Sequence, residues 1–132
     1  MAILCGVDII EIHRIKHSLE TLGQAFKDRI FTEREISYCE KRKETKYKSY
    51  AARFAAKEAV SKALGTGISE GIKWKEIEVV NDEKGKPDIC LSGRAKERLA
   101  ELGGTSISIS LAHCEDYAVA YAVIQAGDRT SD

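Results

Sequence analysis

Residues 49–65 read Ser-Tyr-Ala-Ala-Arg-Phe-Ala-Ala-Lys-Glu-Ala-Val-Ser-Lys-Ala-Leu-Gly, and their reading decides the fold. Alanine is the best helix former and the stretch has no proline, so one long helix is expected from about Ser49 to Leu64. Gly65 stands where a left-handed C-terminal cap belongs. On the N-terminal side, residues 41–48 are strongly charged. Before them, Thr32 and Glu35 form a T-x-x-E capping box that opens a helix over Thr32–Cys39. A short helix is expected around Ala25–Ile30. Another should run from Glu11 to about Leu22, with Ile12, Ile15 and Leu19 on one stripe and Gly23 as its stop. Ile3–Ile9 is apolar and β-branched enough for a buried first strand.

On the C-terminal side, Trp74–Val80 reads as a strand, Asn81–Pro87 as a turn and Asp88–Leu91 as the return strand of a hairpin. Ser92 can cap a helix that ends at Gly103-Gly104. Ser106–Ser110 alternates serine with apolar residues, the mark of a half-buried strand. Tyr117–Ile124 is apolar on both faces and reads as a central strand. The turn-length gap His113–Asp116 makes the last two strands a hairpin. The sum is α+β: an antiparallel sheet packed against helices, one of them long. One proline, no linker and no repeat leave a single domain over residues 1–126, and residues 127–132 are expected to be a disordered tail.

The 21 basic and 21 acidic side chains give zero formal net charge, which argues against a general nucleic-acid binder. Asp8 and Glu11 interrupt the N-terminal apolar run and no basic leader precedes it, so no signal peptide is expected. No stretch approaches the ~20 apolar residues of a membrane helix. The expected location is cytoplasmic. The four cysteines, Cys5, Cys39, Cys90 and Cys114, are widely spaced and are expected to be reduced and mostly buried.

Within the long helix, residues four apart share a face, so Phe54, Glu58 and Lys62 form one stripe, with Lys57 and Ser61 beside it. Glu58 and Lys62 admit two readings. One is a surface ion pair, worth ~0.3–0.5 kcal/mol. The other is a phosphate site, in which Lys62 neutralises phosphate charge and Gly65-Thr-Gly67 offers backbone N–H groups. Glu58 and a second carboxylate would then hold Mg²⁺, which completes its octahedron with water and substrate phosphate. That equipment suits phosphoryl-type transfer, where positioning and electrostatics do most of the work. The second carboxylate is Asp8, a charge inside an apolar strand; its alternative reading is a helix N-cap at the strand's end. Gly6 permits close backbone approach beside it.

Gly6-Val7-Asp8, together with Arg53-Phe-Ala-Ala-Lys-Glu-Ala-Val-Ser-Lys62, resembles the paired signature of the 4′-phosphopantetheinyl transferases, closest to their small single-domain class. The likeness extends to Gly65-Thr-Gly67, Gly85-Lys-Pro87 and Ser108-Ile-Ser-Leu-Ala-His113. The resemblance implies an enzyme of fatty acid biosynthesis that moves the phosphopantetheine arm of coenzyme A onto a serine of an acyl carrier protein, releasing 3′,5′-ADP. Asp8 and Glu58 would be magnesium ligands, and Glu58 and Lys62 would carry the catalysis. Lys62, with Lys57 nearby, would hold the coenzyme A phosphates. His113 and a basic side chain from 41–48 would meet the 3′-phosphate, and Gly85-Lys86-Pro87 would border the adenine. Arg14 and Phe54 would face the acidic recognition helix of the carrier. The class implies a homotrimer with each active site between two subunits. Larger two-lobed members place a second acid two residues after the aspartate. Here that position is Ile10, and a water would take its coordination place.

Other residues read more plainly. His13 and His17 lie one helical turn apart without a third ligand and read as solvent or interface side chains. Taken alone, His113 reads first as a structural strand-end residue; the family resemblance raises the phosphate reading to an even footing. The 41–48 run is either a solvated segment or a phosphate or carrier contact. Acidic neighbours make Cys114 a poor nucleophile. Two other functions compete. A module that binds coenzyme A without turnover has little need of a metal pair. A nucleic-acid module conflicts with zero net charge and the lack of interleaved aromatics.

Overall fold

Residues 1–127 are described by the computed structural model. The chain runs β1 (Ala2–Glu11), α1 (Ile12–Leu22), α2 (Gln24–Ile30), α3 (Glu33–Lys41), a 3₁₀ turn (Lys43–Thr45) and α4 (Lys46–Ala63). A second 3₁₀ turn (Trp74–Glu76), β2 (Ile77–Asn81), β3 (Pro87–Leu91), α5 (Gly93–Glu101), β4 (Gly104–His113) and β5 (Tyr117–Ala126) follow. The class is α+β, with α4 the long helix at 18 residues. The strands form two antiparallel sheets where one was expected: β1-β5-β4, and the hairpin β2-β3.

The central strand and the long helix meet through small side chains. Ala118, Ala120 and Ala122 of β5 are fully buried, as are Ala51, Ala55 and Ala59 of α4, and they share the core with Val60, Ile77 and Ile124. Alanine on both sides lets the helix ride close over β5, with β1 and β4 along its two flanks. A Cβ at Gly6 would land on the Ala59 carbonyl oxygen and lie 2.7 Å from the Ala63 amide nitrogen. Glycine is therefore what allows β1 to pass this close to α4. The opposite face of the sheet leaves Ile3, Val7, Ile9, Tyr117 and Tyr121 exposed.

Several local expectations shift. α4 starts at Lys46 rather than Ser49 because Tyr50 anchors its first turns: the ring lies 5.0 Å from that of Phe31 and the hydroxyl donates to Glu40 Oε2 at 2.6 Å. Trp74–Glu76 is a 3₁₀ turn rather than strand, closed by the Glu76 amide on the Lys73 carbonyl and the Lys73 amide on Glu76 Oε1. Ser92 occupies the N-cap position of α5, but the Ala95 amide donates to Glu76 Oε1 instead of to the serine. Asp8 lies inside β1 and Glu11 precedes α1, so the N-cap reading of Asp8 fails. The Thr32–Glu35 capping box is present in both directions. All four cysteines are free, but only Cys39 is buried, where most were expected to be; burial pushes its thiol up to about 12. From residue 128 on, the expected tail lies outside the described residues; Gly127 donates its amide to the Gly103 carbonyl. Among the described residues no helix is long and apolar enough to cross a membrane.

Candidate active site

β1 and α4 bring Asp8, Glu58 and Lys62 together. Lys62 Nζ donates to Asp8 Oδ1 at 3.1 Å and to the Val7 carbonyl at 3.0 Å. Glu58 sits one turn earlier on the same stripe. Burial pushes the Glu58 carboxyl above its ordinary range, the charge of Asp8 pushes it further, and Lys62 draws it back. Lys62 is half exposed and Asp8 15% exposed, so the cluster is open to a ligand at the ammonium and closed against the strand. Two hard carboxylates beside one ammonium form a donor set for a divalent cation and a phosphate.

Lys57 does not join them. One residue along a helix is a turn of about 100°, which carries Lys57 to the side that faces α3 and β2. Its ammonium is fully buried, 2.7 Å from Glu35 Oε1, and donates to the carbonyls of Ile77 at 2.6 Å and Trp74 at 3.1 Å. An ammonium has three N–H groups, and all three are used. Glu35 is held in turn by the Thr32 amide at 2.9 Å and the Val79 amide at 2.8 Å. Desolvation pushes the Lys57 ammonium below its ordinary range, and the Glu35 charge opposes that shift. The expected phosphate role of Lys57 is therefore corrected: it is a buried structural strut.

The glycines after α4 are corrected as well. Gly65 donates its amide to the Lys62 carbonyl, and Thr66 and Gly67 both donate to the Ser61 carbonyl. These amides close the C-terminal end of the helix and are not free to cradle a phosphate.

Most of the remaining candidates gather on the other flank of α4. Gly85, Pro87 and His113 line a cleft of about 430 Å³ together with Arg42, Lys48 and Arg53. Lys86 lines a separate, smaller hollow with Asp82 and Ser108. Arg42 and Lys48 are the basic members of the 41–48 run that reach the cleft. Arg53 was not singled out in the sequence. It is 4% exposed, its guanidinium lies 3.8 Å from the Tyr38 ring centroid, and its Nε has no acceptor among the described residues. A buried donor without a partner is costly and fits an anion. The signal that could have found it was a cation set in an alanine face five residues before Glu58. That spacing turns it about 140° away from the carboxylate.

Arg14 and Phe54 share a third surface. With Ile10, His13, His17 and Phe26 they line a groove of about 350 Å³ between α1, α2 and α4. His13 lies 3.6 Å from Glu11 and faces this groove, so both histidines sit beside Arg14 rather than forming a metal pair.

A family model described as the 4′-phosphopantetheinyl transferase superfamily matches residues 4–122. The chain belongs to this superfamily. As a superfamily member it is 58% identical over 128 residues to the holo-acyl-carrier-protein synthase of Ruminiclostridium cellulolyticum, covering 97% of this chain and 96% of that one. Among solved structures it is similar to the Neisseria meningitidis holo-acyl-carrier-protein synthase, with 35% identity, a TM-score of 0.82 and coverage of 92% and 97% of the two chains. It is also similar to the Helicobacter pylori enzyme of that name in complex with coenzyme A, with 33% identity, a TM-score of 0.81 and coverage of 92% and 100%. The match spans both flanks of α4 and the α1 groove, so the superfamily signature and the charged cluster fall in the same place.

Proposed function

We propose that this chain transfers the 4′-phosphopantetheine group from coenzyme A to a serine of an apo-acyl carrier protein, giving the holo-carrier and 3′,5′-ADP, in fatty acid biosynthesis. The observation that carries this reading is the convergence of Asp8, Glu58 and Lys62 in a chain akin to holo-acyl-carrier-protein synthases, one of them solved with coenzyme A bound. The serine oxygen attacks the β-phosphorus, and the bond from that phosphorus to the bridging oxygen breaks, so 3′,5′-ADP leaves with the electron pair. Lys62 neutralises charge on the leaving phosphate. Glu58, one turn from Lys62 on the same face of α4, takes the serine proton.

The residues fit magnesium. Among the described residues no third acid, histidine or cysteine joins Asp8 and Glu58. The protein thus offers two hard oxygen ligands and leaves the remaining positions to water and phosphate, as Mg²⁺ prefers. When bound there, the ion supplies charge stabilisation to the pyrophosphate.

The two flanks favour a site shared between subunits. Asp8, Glu58 and Lys62 lie on the β1 side of α4, and the basic cleft with Gly85, Pro87 and His113 lies on the β4 side. A coenzyme A whose pyrophosphate lies at Lys62 would have its 3′-phosphate and adenine met by the Arg42, Lys48, Arg53 and His113 cleft of a neighbouring copy. The exposed Ile3, Val7, Ile9, Tyr117 and Tyr121 give such a homotrimer an apolar contact face. The α1 groove, with Arg14 and Phe54, receives the acidic helix of the carrier. Free thiols and a coenzyme A substrate suit the cytoplasm.

The test is incubation of the protein with coenzyme A and an apo-carrier, with Mg²⁺ or with chelator, alongside light scattering for mass. The reading predicts carrier modification only with the metal, and a trimer mass. A folded protein inactive with Mg²⁺ present would sink it.

A further inference from the structure

Phe54 lines the α1 groove from α4, and a second ring from outside the helix stacks on it. The ring that does so is Trp74, from the 3₁₀ turn before β2. The two centroids are 4.8 Å apart with 28° between the planes, a stacked pair. The indole is half-buried and belongs to the same apolar cluster as Phe26, which lines the groove opposite. The backbone of Trp74 is fixed independently: its carbonyl accepts from the buried Lys57 ammonium at 3.1 Å. Lys57 is itself clamped by Glu35 and by the Ile77 carbonyl. A rigid buried strut thus ends on Trp74, and Trp74 ends on Phe54.

We propose that Trp74 is a positioning residue for the carrier protein: it presents the Phe54 ring to the α1 groove and so sets carrier affinity. This rests on the reading of that groove as the carrier's docking site. Among the described residues Trp74 makes no hydrogen bond with Asp8, Glu58 or Lys62 and does not line the basic cleft, so its effect falls on the carrier and leaves coenzyme A untouched. An aromatic is needed at this position for its face; Phe can supply most of it and Ala none.

The test uses the full chain with apo-carrier and coenzyme A. Trp74→Ala should raise KM for the carrier about tenfold, the usual size of a lost interface anchor, with KM for coenzyme A within about twofold. Trp74→Phe should recover most of the loss, which a general weakening of the fold would not. Trp74 is also the one tryptophan in the chain, so emission reports this position in the unaltered protein. Apo-carrier without coenzyme A should change that emission saturably, and coenzyme A alone should leave it constant. Arg14→Glu tests the groove separately. If Arg14→Glu weakens carrier binding while folded Trp74→Ala keeps the original carrier KM, or the emission ignores the carrier, the role of Trp74 is overturned. If Arg14→Glu has no effect on carrier binding, the docking reading falls and Trp74 falls with it.

Discussion

Two carboxylate–lysine pairs hang from α4, Glu35–Lys57 and Asp8–Lys62, and they differ in everything except chemistry. The first has no exposure; its ammonium meets Glu35 and two carbonyls, and its carboxylate meets two amides besides. The second is partly open, and beside it stands another carboxylate, Glu58, that its own Asp8 repels. A pair whose donors and acceptors are all filled by the fold has nothing left to offer a substrate. A pair with spare capacity beside an unrelieved like charge is poised to take a cation and an anion. The contrast separates strut from site more sharply than residue type does.

The contrast breaks first at Glu58. Glu58→Gln is expected to cut turnover by up to about 10⁴-fold while far-UV circular dichroism stays unchanged. An active Glu58→Gln would remove the acid from the reaction. Next in size, Lys57→Met should cost about 3–5 kcal/mol of stability in a denaturant titration, because Glu35 is left as an uncompensated buried charge. Its loss of turnover should follow the loss of folded protein. A Lys57→Met enzyme that is stable yet inactive would return Lys57 to the phosphate site. Lys62→Met should invert that pattern, losing about 10²-fold in turnover and no more than ~1 kcal/mol of stability, since the ammonium is half exposed.

The smallest effect is a pH dependence. The raised Glu58 carboxyl holds its proton more tightly in the fold than in the unfolded chain. Its contribution therefore favours the fold below the ordinary carboxylate range and is lost as pH rises through the folded value. With divalent cations chelated, Glu58→Gln should melt higher than the unaltered chain at neutral pH, and the gap should close on acidification. A gap that widens toward acid would contradict the assigned field.

The sequence showed local signals well and long-range ones poorly. The Thr32–Glu35 box was legible because both partners lie within one turn. That Glu35 also spans to Val79 and Lys57 was not, since nothing in the chain marks contacts 44 and 22 residues away. The family resemblance implies a phosphate role for Lys57 beside Lys62, yet Lys57 is rotated away from the Glu58–Lys62 stripe, and its environment is set by α3 and β2. Gly65 was read correctly as a cap, and for that reason its amide was unavailable to a phosphate. Asp8 and Glu58 were legible as a pair from the family-like spacing. Gly6 was legible as a place of close backbone approach; that Ala59 of α4 is what approaches it emerged only with the fold. Arg53 escaped notice because a cation in an alanine run looks like solubility until the cleft beside it is seen.

The account is tested most directly by following phosphopantetheine gain on an apo-carrier by mass spectrometry, with Asp8→Asn, Glu58→Gln and Lys57→Met compared at equal concentrations of folded protein. It predicts that the first two lose the reaction and that Lys57→Met keeps it. Retained activity in either acid variant, or loss in folded Lys57→Met, would mean that the reaction centre lies elsewhere on the helix.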